Sequence, residues 1–144
     1  MTMNKFWEFI ISLESEYGSY RKKIMNRFSL SAAETDILMF LSNNPQYDTG
    51  TDISRIRKIP KSQVSTSVKS LCEKGYLSTD YKENNRKSIH LSLTKSALSV
   101  TDYGKTVQAE FADLLFSGFS EEEKSEFERL HIRIADNIAS KKEL

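Results

Sequence analysis

One segment of alternating polar and apolar residues interrupts a sequence whose other apolar residues are spaced for helices. Between Lys87 and Leu93, the side chains of Ile89, Leu91 and Leu93 fall on one side of an extended chain. The preceding segment, Tyr76 to Lys82, is rich in residues that favour strands. A single hairpin in an otherwise helical chain predicts a mostly α fold with a small β-hairpin.

The first helix is predicted from about Asn4 to Arg27. Its apolar residues recur at alternating intervals of four and three, a narrow seam that requires a partner helix: Phe6, Ile10, Leu13, Tyr17, Tyr20 and Ile24. Trp7 and Phe9 flank this seam. The helix is therefore too apolar to lie alone on a small domain.

Two capping boxes mark later helix starts, each a serine followed three residues later by a glutamate, at Ser31 and Ser120. The first of these helices is predicted to end at Asn43-Asn44-Pro45. Another helix is predicted from about Thr94 to Phe116. The last helix carries one apolar stripe, formed by Phe127, Leu130, Ile134 and Ile138.

A helix-turn-helix is predicted before the hairpin. A short helix begins near Thr51, and a second helix spans about Pro60 to Lys74. Proline is tolerated in a first helical turn, and Gly75 suits the left-handed position that ends a helix. Followed by the hairpin and its polar turn at residues 83–86, this order is typical of a winged helix-turn-helix.

Positive charge is concentrated in this part of the chain. Nine lysines and arginines and three acids lie between Arg55 and Lys87, a net charge of +6, whereas the whole chain carries +1. Such a concentration indicates a polyanionic partner, although a solvated basic surface would look the same.

The helix predicted at 60–74 has one apolar and one polar face. At about 100° per residue, Val64, Val68 and Leu71 form the apolar face. The other faces carry short hydrogen-bonding side chains, including Ser67, with few acids, as a helix that enters the major groove requires. The residues predicted to bind DNA there are Pro60, Lys61, Ser62, Gln63, Ser65, Thr66, Lys69 and Ser70.

The run from Asp52 to Leu77 resembles the helix-turn-helix of the MarR family of transcriptional regulators, and the Leu93-Thr94 pair resembles the join between wing and long helix in that family. The sequence departs from the family at Arg57, usually apolar, and at Ala97, commonly glycine. An Asp two residues before an Arg is usual in the family's wing. Here Asn84 precedes Arg86 at that spacing, and Asn85 precedes Lys87.

The resemblance implies a single MarR-like domain in which about 29–94 bind DNA and about 1–28 and 95–144 form a homodimer. It implies a palindromic double-stranded operator, wing contacts from the hairpin, and release of DNA by a small aromatic effector. The wing residues are Lys82, Asn84, Asn85, Arg86 and Lys87, and the dimerisation residues are Phe6, Trp7, Ile10, Leu13, Phe127, Leu130, Ile134 and Ile138.

Other classes of protein are poorly supported by the sequence. One cysteine and two separated histidines form no metal-binding motif, so we expect no metal and no cofactor. Neither a phosphate-binding loop nor a catalytic triad order is found, and no apolar run is long enough to span a membrane. We therefore expect a non-enzymatic protein in a reducing, cytoplasmic setting.

Three assignments stay open at this point. Cys72 is either a partly buried structural residue or a redox sensor whose pKa the nearby Lys69 and Lys74 lower. Tyr17 and Tyr20, with Trp7 and Phe9, line either an effector pocket or the core and dimer seam. His90 is expected to face solvent or phosphate. The alternative function is a redox- or ligand-responsive winged helix that acts through protein–protein contacts.

Overall fold

The computed structural model describes residues 1–81 and 88–141. Within those ranges the chain forms six α-helices, two antiparallel strands and a short 3₁₀ turn at Lys95–Ala97. The elements are α1 (Met3–Phe28), α2 (Ala32–Asn43), α3 (Gly50–Arg57), α4 (Lys61–Glu73), β1 (Leu77–Tyr81), β2 (Ile89–Leu93), α5 (Leu98–Leu115) and α6 (Glu121–Ala139). The predicted fold class, mostly α with a β-hairpin wing, is confirmed.

The chain divides into two compact units, Met1–Ala109 and Glu110–Leu144. The first unit contains an apolar core to which α2 contributes most. The core also receives side chains from α1, α3, α4, both strands and α5, including Ile24, Ile37, Leu38, Ile53, Val64, Leu71, Leu77, Leu91, Val100 and Val107. The predicted division into DNA-binding and dimerising regions concerns function, and it stays a prediction.

Capping residues fix where the predicted helices begin. In both predicted capping boxes, the serine side chain accepts from the glutamate amide and the glutamate side chain accepts from the serine amide. A third box, between Thr49 and Asp52, starts α3. These local bonds satisfy backbone amides that have no partner inside the helix.

The turn between α3 and α4 depends on Lys58. This residue ends α3 in the left-handed conformation, with φ +56° and ψ +36°. Ser54 donates its hydroxyl to the Ile59 carbonyl at 2.7 Å and so closes the turn. The turn directs Pro60 to the start of α4, where the Pro60 carbonyl accepts from the Val64 amide.

Lys58→Gly is expected to raise the free energy of unfolding by about 0.5–1 kcal/mol, because glycine adopts the left-handed region without the steric cost that a side chain adds. Urea unfolding measures the difference. Lys105→Gly, at an exposed helical site in α5, is the control and should destabilise by about 1 kcal/mol. If both changes destabilised the protein equally, the left-handed conformation of Lys58 would carry no steric cost.

Three element boundaries differ from prediction. Pro60 is the N-cap of α4 rather than part of its first turn, because it has extended ψ (140°). The helix predicted from Thr94 starts at Leu98 after a 3₁₀ turn, since the Thr94 hydroxyl and amide bond back to the carbonyls of Gly75 and Tyr76. The third difference is the start of α3, which lies at Gly50 rather than near Thr51.

The apolar side of β2 is buried only in part. Leu91 is buried, Leu93 is half-buried and Ile89 is 42% exposed. On β1, only Leu77 is buried. The core therefore reaches only the base of the hairpin, and Ile89 lies beyond it although it shares one side of the strand with Leu91 and Leu93.

Candidate nucleic-acid interface

Helix α4 presents a polar surface to solvent. Val64, Ser67 and Leu71 are buried against the body of the first unit. The exposed residues, which we call the reading face, are Lys61, Ser62, Gln63, Ser65, Thr66 and Lys69. Short polar side chains and two lysines thus form one accessible surface, as the helical wheel predicted.

The N-terminus of α4 adds partial positive charge to this surface. Among the residues described, no side chain caps the first-turn amides, because the N-cap position is Pro60. Uncapped amides at the positive end of a helix dipole bind anions such as phosphate. The exposed Lys61 stands in the same turn. This end of α4 is therefore suited to a phosphate group of a nucleic acid.

Two serines that the sequence analysis placed among the polar residues of this helix face inwards. Ser67 is only 7% exposed. Ser70 is half-buried and donates its hydroxyl to Glu34 Oε2 at 3.0 Å. Ser67 therefore lies on the buried side of the helix, and the Ser70 hydroxyl bonds within the chain, because α2 packs along this edge of α4.

The carboxylate of Glu34 is buried and fully bonded. Its residue is 6% exposed. Oε1 accepts from the Ser31 amide at 2.9 Å and from Lys74 Nζ at 3.1 Å, and Oε2 accepts from Ser70. Lys74 Nζ also donates to the Ser29 carbonyl at 3.1 Å. One carboxylate thus ties the start of α2 to the C-terminal half of α4.

The environment of Glu34 shifts its pKa. Burial alone raises the pKa, but the bonds from the Ser31 amide, Lys74 and Ser70 outweigh it, so that the pKa lies below the ordinary value of 4.5. A group with a lowered folded pKa stabilises the fold above its unfolded pKa. That stabilisation is lost as the pH falls through the folded pKa.

Glu34→Gln is therefore expected to destabilise the protein at pH 7 by about 1–3 kcal/mol, since it removes the charge from a buried carboxylate that accepts from Ser31, Ser70 and the partly exposed Lys74. The difference from wild type should shrink steadily once the pH falls below about 4.5. Urea unfolding of both proteins between pH 7 and pH 3 measures it. A difference that stays constant across this range would show that the ionised carboxylate contributes nothing.

Three lysines on or beside the reading face have no acidic partner among the described residues. Arg55 pairs with Asp52 at 3.3 Å, and Arg57 lies 3.6 Å from Asp36. In residues 1–81 and 88–141, no carboxylate forms an ion pair with Lys58, Lys61 or Lys69. These lysines are available to a phosphate backbone.

The hairpin lies after α4, and its predicted contact residues lie beyond what the structure describes. Lys82, Asn84, Asn85, Arg86 and Lys87 belong to residues 82–87, outside the described ranges. The base of the hairpin is tied to the segment before α3, because the Leu91 amide donates to the Asp48 carbonyl at 2.7 Å.

His90 is half-buried rather than turned to solvent. Its Nδ1 lies 2.9 Å from Asp48 Oδ1. The expectation of a solvent or phosphate contact is therefore wrong for this nitrogen, because the segment at Asp48 and Thr49 pairs with β2 at this point. His90 braces the hairpin against the start of α3.

Cys72 is half-buried on α4. Burial, together with the neighbouring Glu73 carboxylate, raises the pKa of the thiol. The idea that Lys69 and Lys74 lower this pKa is wrong, and Lys74 is instead engaged by Glu34. A raised pKa keeps the sulfur protonated and unreactive, which favours the structural assignment.

Two cavities open among the described residues of the first unit. One, about 470 Å³, runs between α3, α4 and the hairpin and includes Lys61 and Ser65 of the reading face. The other, about 310 Å³, is lined by Tyr17, Asp36, Met39, Phe40, Asn43, Asn44, Ile56, Arg57 and Gln108. Tyr17 therefore lines a cavity, whereas Tyr20 packs against the core. That Tyr17 belongs to an effector site stays a prediction.

Asp36 at this second cavity connects two helices. Its Oδ2 accepts from Arg21 of α1 at 2.9 Å and lies 3.6 Å from Arg57 of α3. Asp36 Oδ1 and Arg21 Nε are buried without a hydrogen-bond partner among the described residues. Sequence reasoning missed this cluster because its three members are far apart in the chain.

The N-terminal half of α1 exposes large apolar side chains. Met3, Trp7, Phe9 and Ile11 are each more than half exposed. The predicted seam residues Phe6, Ile10 and Leu13 are half-buried. Trp7 alone exposes 54% of its surface, which is costly for a large aromatic side chain in water.

Helix α6, in the second unit, has no buried residue. The predicted dimerisation residues Phe127, Leu130, Ile134 and Ile138 are exposed by 42%, 42%, 52% and 62%. They recur at intervals of three or four and so share one stripe. An apolar stripe of this length is typical of a surface that another helix covers.

The described part of the chain offers neither a metal site nor a membrane span. Within residues 1–81 and 88–141, no group of histidine, cysteine or acidic side chains could hold a metal ion. None of the helices described there is long and apolar enough to cross a membrane.

The family comparison matches the centre of the chain. Residues 28–82 match the MarR family. This range contains α2, α3, α4 and β1. It includes the run from Asp52 to Leu77, from which part of the resemblance was drawn, but not the Leu93-Thr94 pair. Among curated proteins, none matches the chain.

Solved structures extend the likeness to nearly the full length. A MarR transcriptional regulator from Methanosarcina mazei Go1 is 20% identical, with a TM-score of 0.79 over 96% of this chain and 93% of that one. A MarR family regulator from Listeria monocytogenes, complexed with 26mer DNA, is 18% identical, with a TM-score of 0.79 over 96% and 89%.

The S. aureus MepR–DNA complex is 17% identical, with a TM-score of 0.73 over 96% of this chain and 98% of that one. At these identities the structures show a common fold, and the bound DNA is a property of those two proteins.

Proposed function

We propose that the chain is a homodimeric, sequence-specific DNA-binding repressor released by a small effector, because residues 28–82 match the MarR family and 96% of the chain shares the fold of a MarR regulator. The cellular setting that fits this role is the cytoplasm. No catalytic step is required.

The observation that carries the proposal is the reading face of α4. It presents hydroxyl, amide and ammonium groups with little apolar surface. A glutamine side chain can bond to adenine in the major groove, and a lysine can bond to guanine or to phosphate. Glu73, at the C-terminal end of α4, is the one acid among the residues that this helix exposes.

Two copies of the chain would read a palindrome. In a twofold dimer, the two recognition helices meet successive major grooves about 34 Å apart. The exposed apolar residues of α1 and the stripe on α6 supply the surfaces for such a dimer. Lys82, Arg86 and Lys87 of the wing would add phosphate contacts, which make affinity fall as salt concentration rises.

The cavity at Tyr17 is the proposed effector site. Met39, Phe40 and Ile56 give it an apolar wall, and Arg57 gives it a cation whose acidic partner is 3.6 Å away. A small aromatic acid could place its ring against the apolar wall and its carboxylate against Arg57. Its carboxylate would compete with Asp36 for Arg57, the last residue of α3, and so favour a different position of the helix-turn-helix.

Benzoate is therefore expected to weaken DNA binding more than benzyl alcohol, its neutral counterpart. Arg57→Leu should remove the difference between the two compounds, whereas Arg133→Leu, at an exposed site on α6, should preserve it. Fluorescence anisotropy of labelled DNA during titration measures release. Equal release by both compounds would argue against an ionic anchor at Arg57.

The alternative function has less support from the site. A winged helix that binds proteins would present an apolar surface on α4, and the reading face is polar. A redox sensor needs a reactive thiolate, and the pKa of Cys72 is raised. Both observations favour DNA as the partner.

Recovery of genomic fragments tests the function. Purified protein is incubated with sheared DNA of its source genome at about 150 mM salt, where non-specific binding is weak, and retained fragments are sequenced. We expect a few fragments that share a pseudo-palindrome. Uniform retention, or none, by a folded dimer would contradict the proposal. The most enriched palindrome is called the operator duplex below.

A further inference from the structure

We propose that Glu34 is a positioning residue for DNA recognition. Its carboxylate holds α4 against α2 at a fixed rotation and so sets how the reading face meets the bases. This inference rests on the proposed function, because it concerns how the same surface discriminates between DNA sequences.

Glu34 holds the C-terminal end of α4 at two points, Ser70 within the helix and Lys74 at its C-cap. Ser70 and Lys74 are four residues apart, one turn of the helix, and both donate to the Glu34 carboxylate, at 3.0 Å and at 3.0–3.1 Å. The Ser31 amide anchors the same carboxylate to the start of α2. Two attachment points along one edge of a helix fix its rotation as well as its distance from α2.

The apolar contacts of α4 do not provide this precision. Val64 and Leu71 pack into the core, but apolar attraction has no preferred direction. Hydrogen bonds are directional and weaken outside a window of about 0.5 Å. Among the described residues, the network at Glu34 is therefore a directional constraint between the body of the unit and its recognition helix.

Recognition of bases needs such a constraint. Side-chain ends lie about 5–6 Å from the axis of a helix, so a rotation of about 10° displaces them by about 1 Å. That displacement exceeds the tolerance of a hydrogen bond to a base edge. Contacts to phosphates by flexible lysines tolerate it. Removal of the Glu34 network should therefore reduce discrimination between sequences more than affinity for DNA in general.

The test is the ratio of dissociation constants for a scrambled duplex and for the operator duplex of equal length. In Glu34→Gln and in Lys74→Met this ratio should fall about tenfold, which is the discrimination that one base contact provides. The dissociation constant for the scrambled duplex should change little. In the double variant this ratio should be no lower than in Glu34→Gln. Lys74→Arg, which keeps the charge and the donors, should retain the ratio.

Glu16→Gln, at an exposed site on α1, is the matched control and should behave as wild type. Thermal unfolding of every variant gives the folded fraction, and a purely structural role would lower both affinities together with that fraction. If Glu34→Gln does not fold, the two Lys74 variants decide the question, because Lys74 is partly exposed.

The outcomes separate this inference from the proposed function. An unchanged ratio in folded Glu34→Gln or Lys74→Met, beside a discriminating wild type, overturns the positioning role alone. A wild-type chain that binds all duplexes equally overturns the proposed function and the positioning role with it.

Discussion

Ile134→Glu is expected to convert the proposed dimer into monomers and to weaken binding to the operator duplex by about a hundredfold or more, the reduction that accompanies separation of two linked binding modules. Ile134 lies in the middle of the α6 stripe, between Leu130 and Ile138, and 52% of its surface is exposed in the single chain. A glutamate there would become a buried, unpaired charge in the dimer.

Ser125→Glu is the matched control for this change. Ser125 is nine residues before Ile134 and therefore about 180° away from it on the same helix. It is exposed, and it receives the same charge. Sedimentation equilibrium measures the mass, and anisotropy measures the affinity. A dimeric Ile134→Glu variant with wild-type affinity would remove the α6 stripe from the interface.

The double change Gln63→Ala and Thr66→Ala is expected to lower the ratio between scrambled and operator dissociation constants by about a hundredfold, because each hydrogen-bonded base contact contributes about 1–3 kcal/mol of discrimination. Both side chains are exposed on the reading face, and neither carries a charge. Affinity for scrambled DNA, which depends on phosphate contacts, should therefore stay the same.

Thr106→Ala together with Gln46→Ala provides the control. Thr106 is exposed on α5 and donates its hydroxyl to the carbonyl four residues earlier, as Thr66 does. Gln46 is exposed in the loop before α3. Unchanged discrimination in the Gln63 and Thr66 variant would show that other residues read the bases.

The elements that depend on local sequence could be predicted. The capping boxes at Ser31 and Ser120 and the stop at Gly75, which has φ +83°, involve residues within a few positions of one another. The buried face of α4 followed from helical spacing, because Val64 and Leu71 recur at the period of the helix. Capping chemistry of the same kind places the start of α3, where Thr49 precedes Asp52 by three residues.

The contacts that connect distant segments could not be predicted. Glu34 has the sequence signature of a capping residue, and nothing in the sequence pairs it with Lys74, which lies 40 residues away. The helical wheel gave the angle of Ser70 but not the carboxylate beside it. The same reason applies to Asp36 with Arg21 and Arg57, and to His90 with Asp48.

The burial of individual hairpin residues could not be predicted from the sequence either. Alternation assigns Ile89 and Leu91 to the same side of the strand. Whether a core lies beneath each residue depends on how far the hairpin extends past the helices. Leu91 is buried and Ile89 is not, because only the base of the hairpin lies over the core.

Sequence-specific recognition of DNA is tested most directly by titrating the wild-type protein against the operator duplex and against a duplex of equal length with both half-sites scrambled, over a range of salt concentrations. At about 150 mM salt we expect the operator to bind about a thousandfold more tightly, with both affinities falling as salt rises. Equal dissociation constants for the two duplexes, from a folded dimer, would contradict sequence-specific recognition by α4.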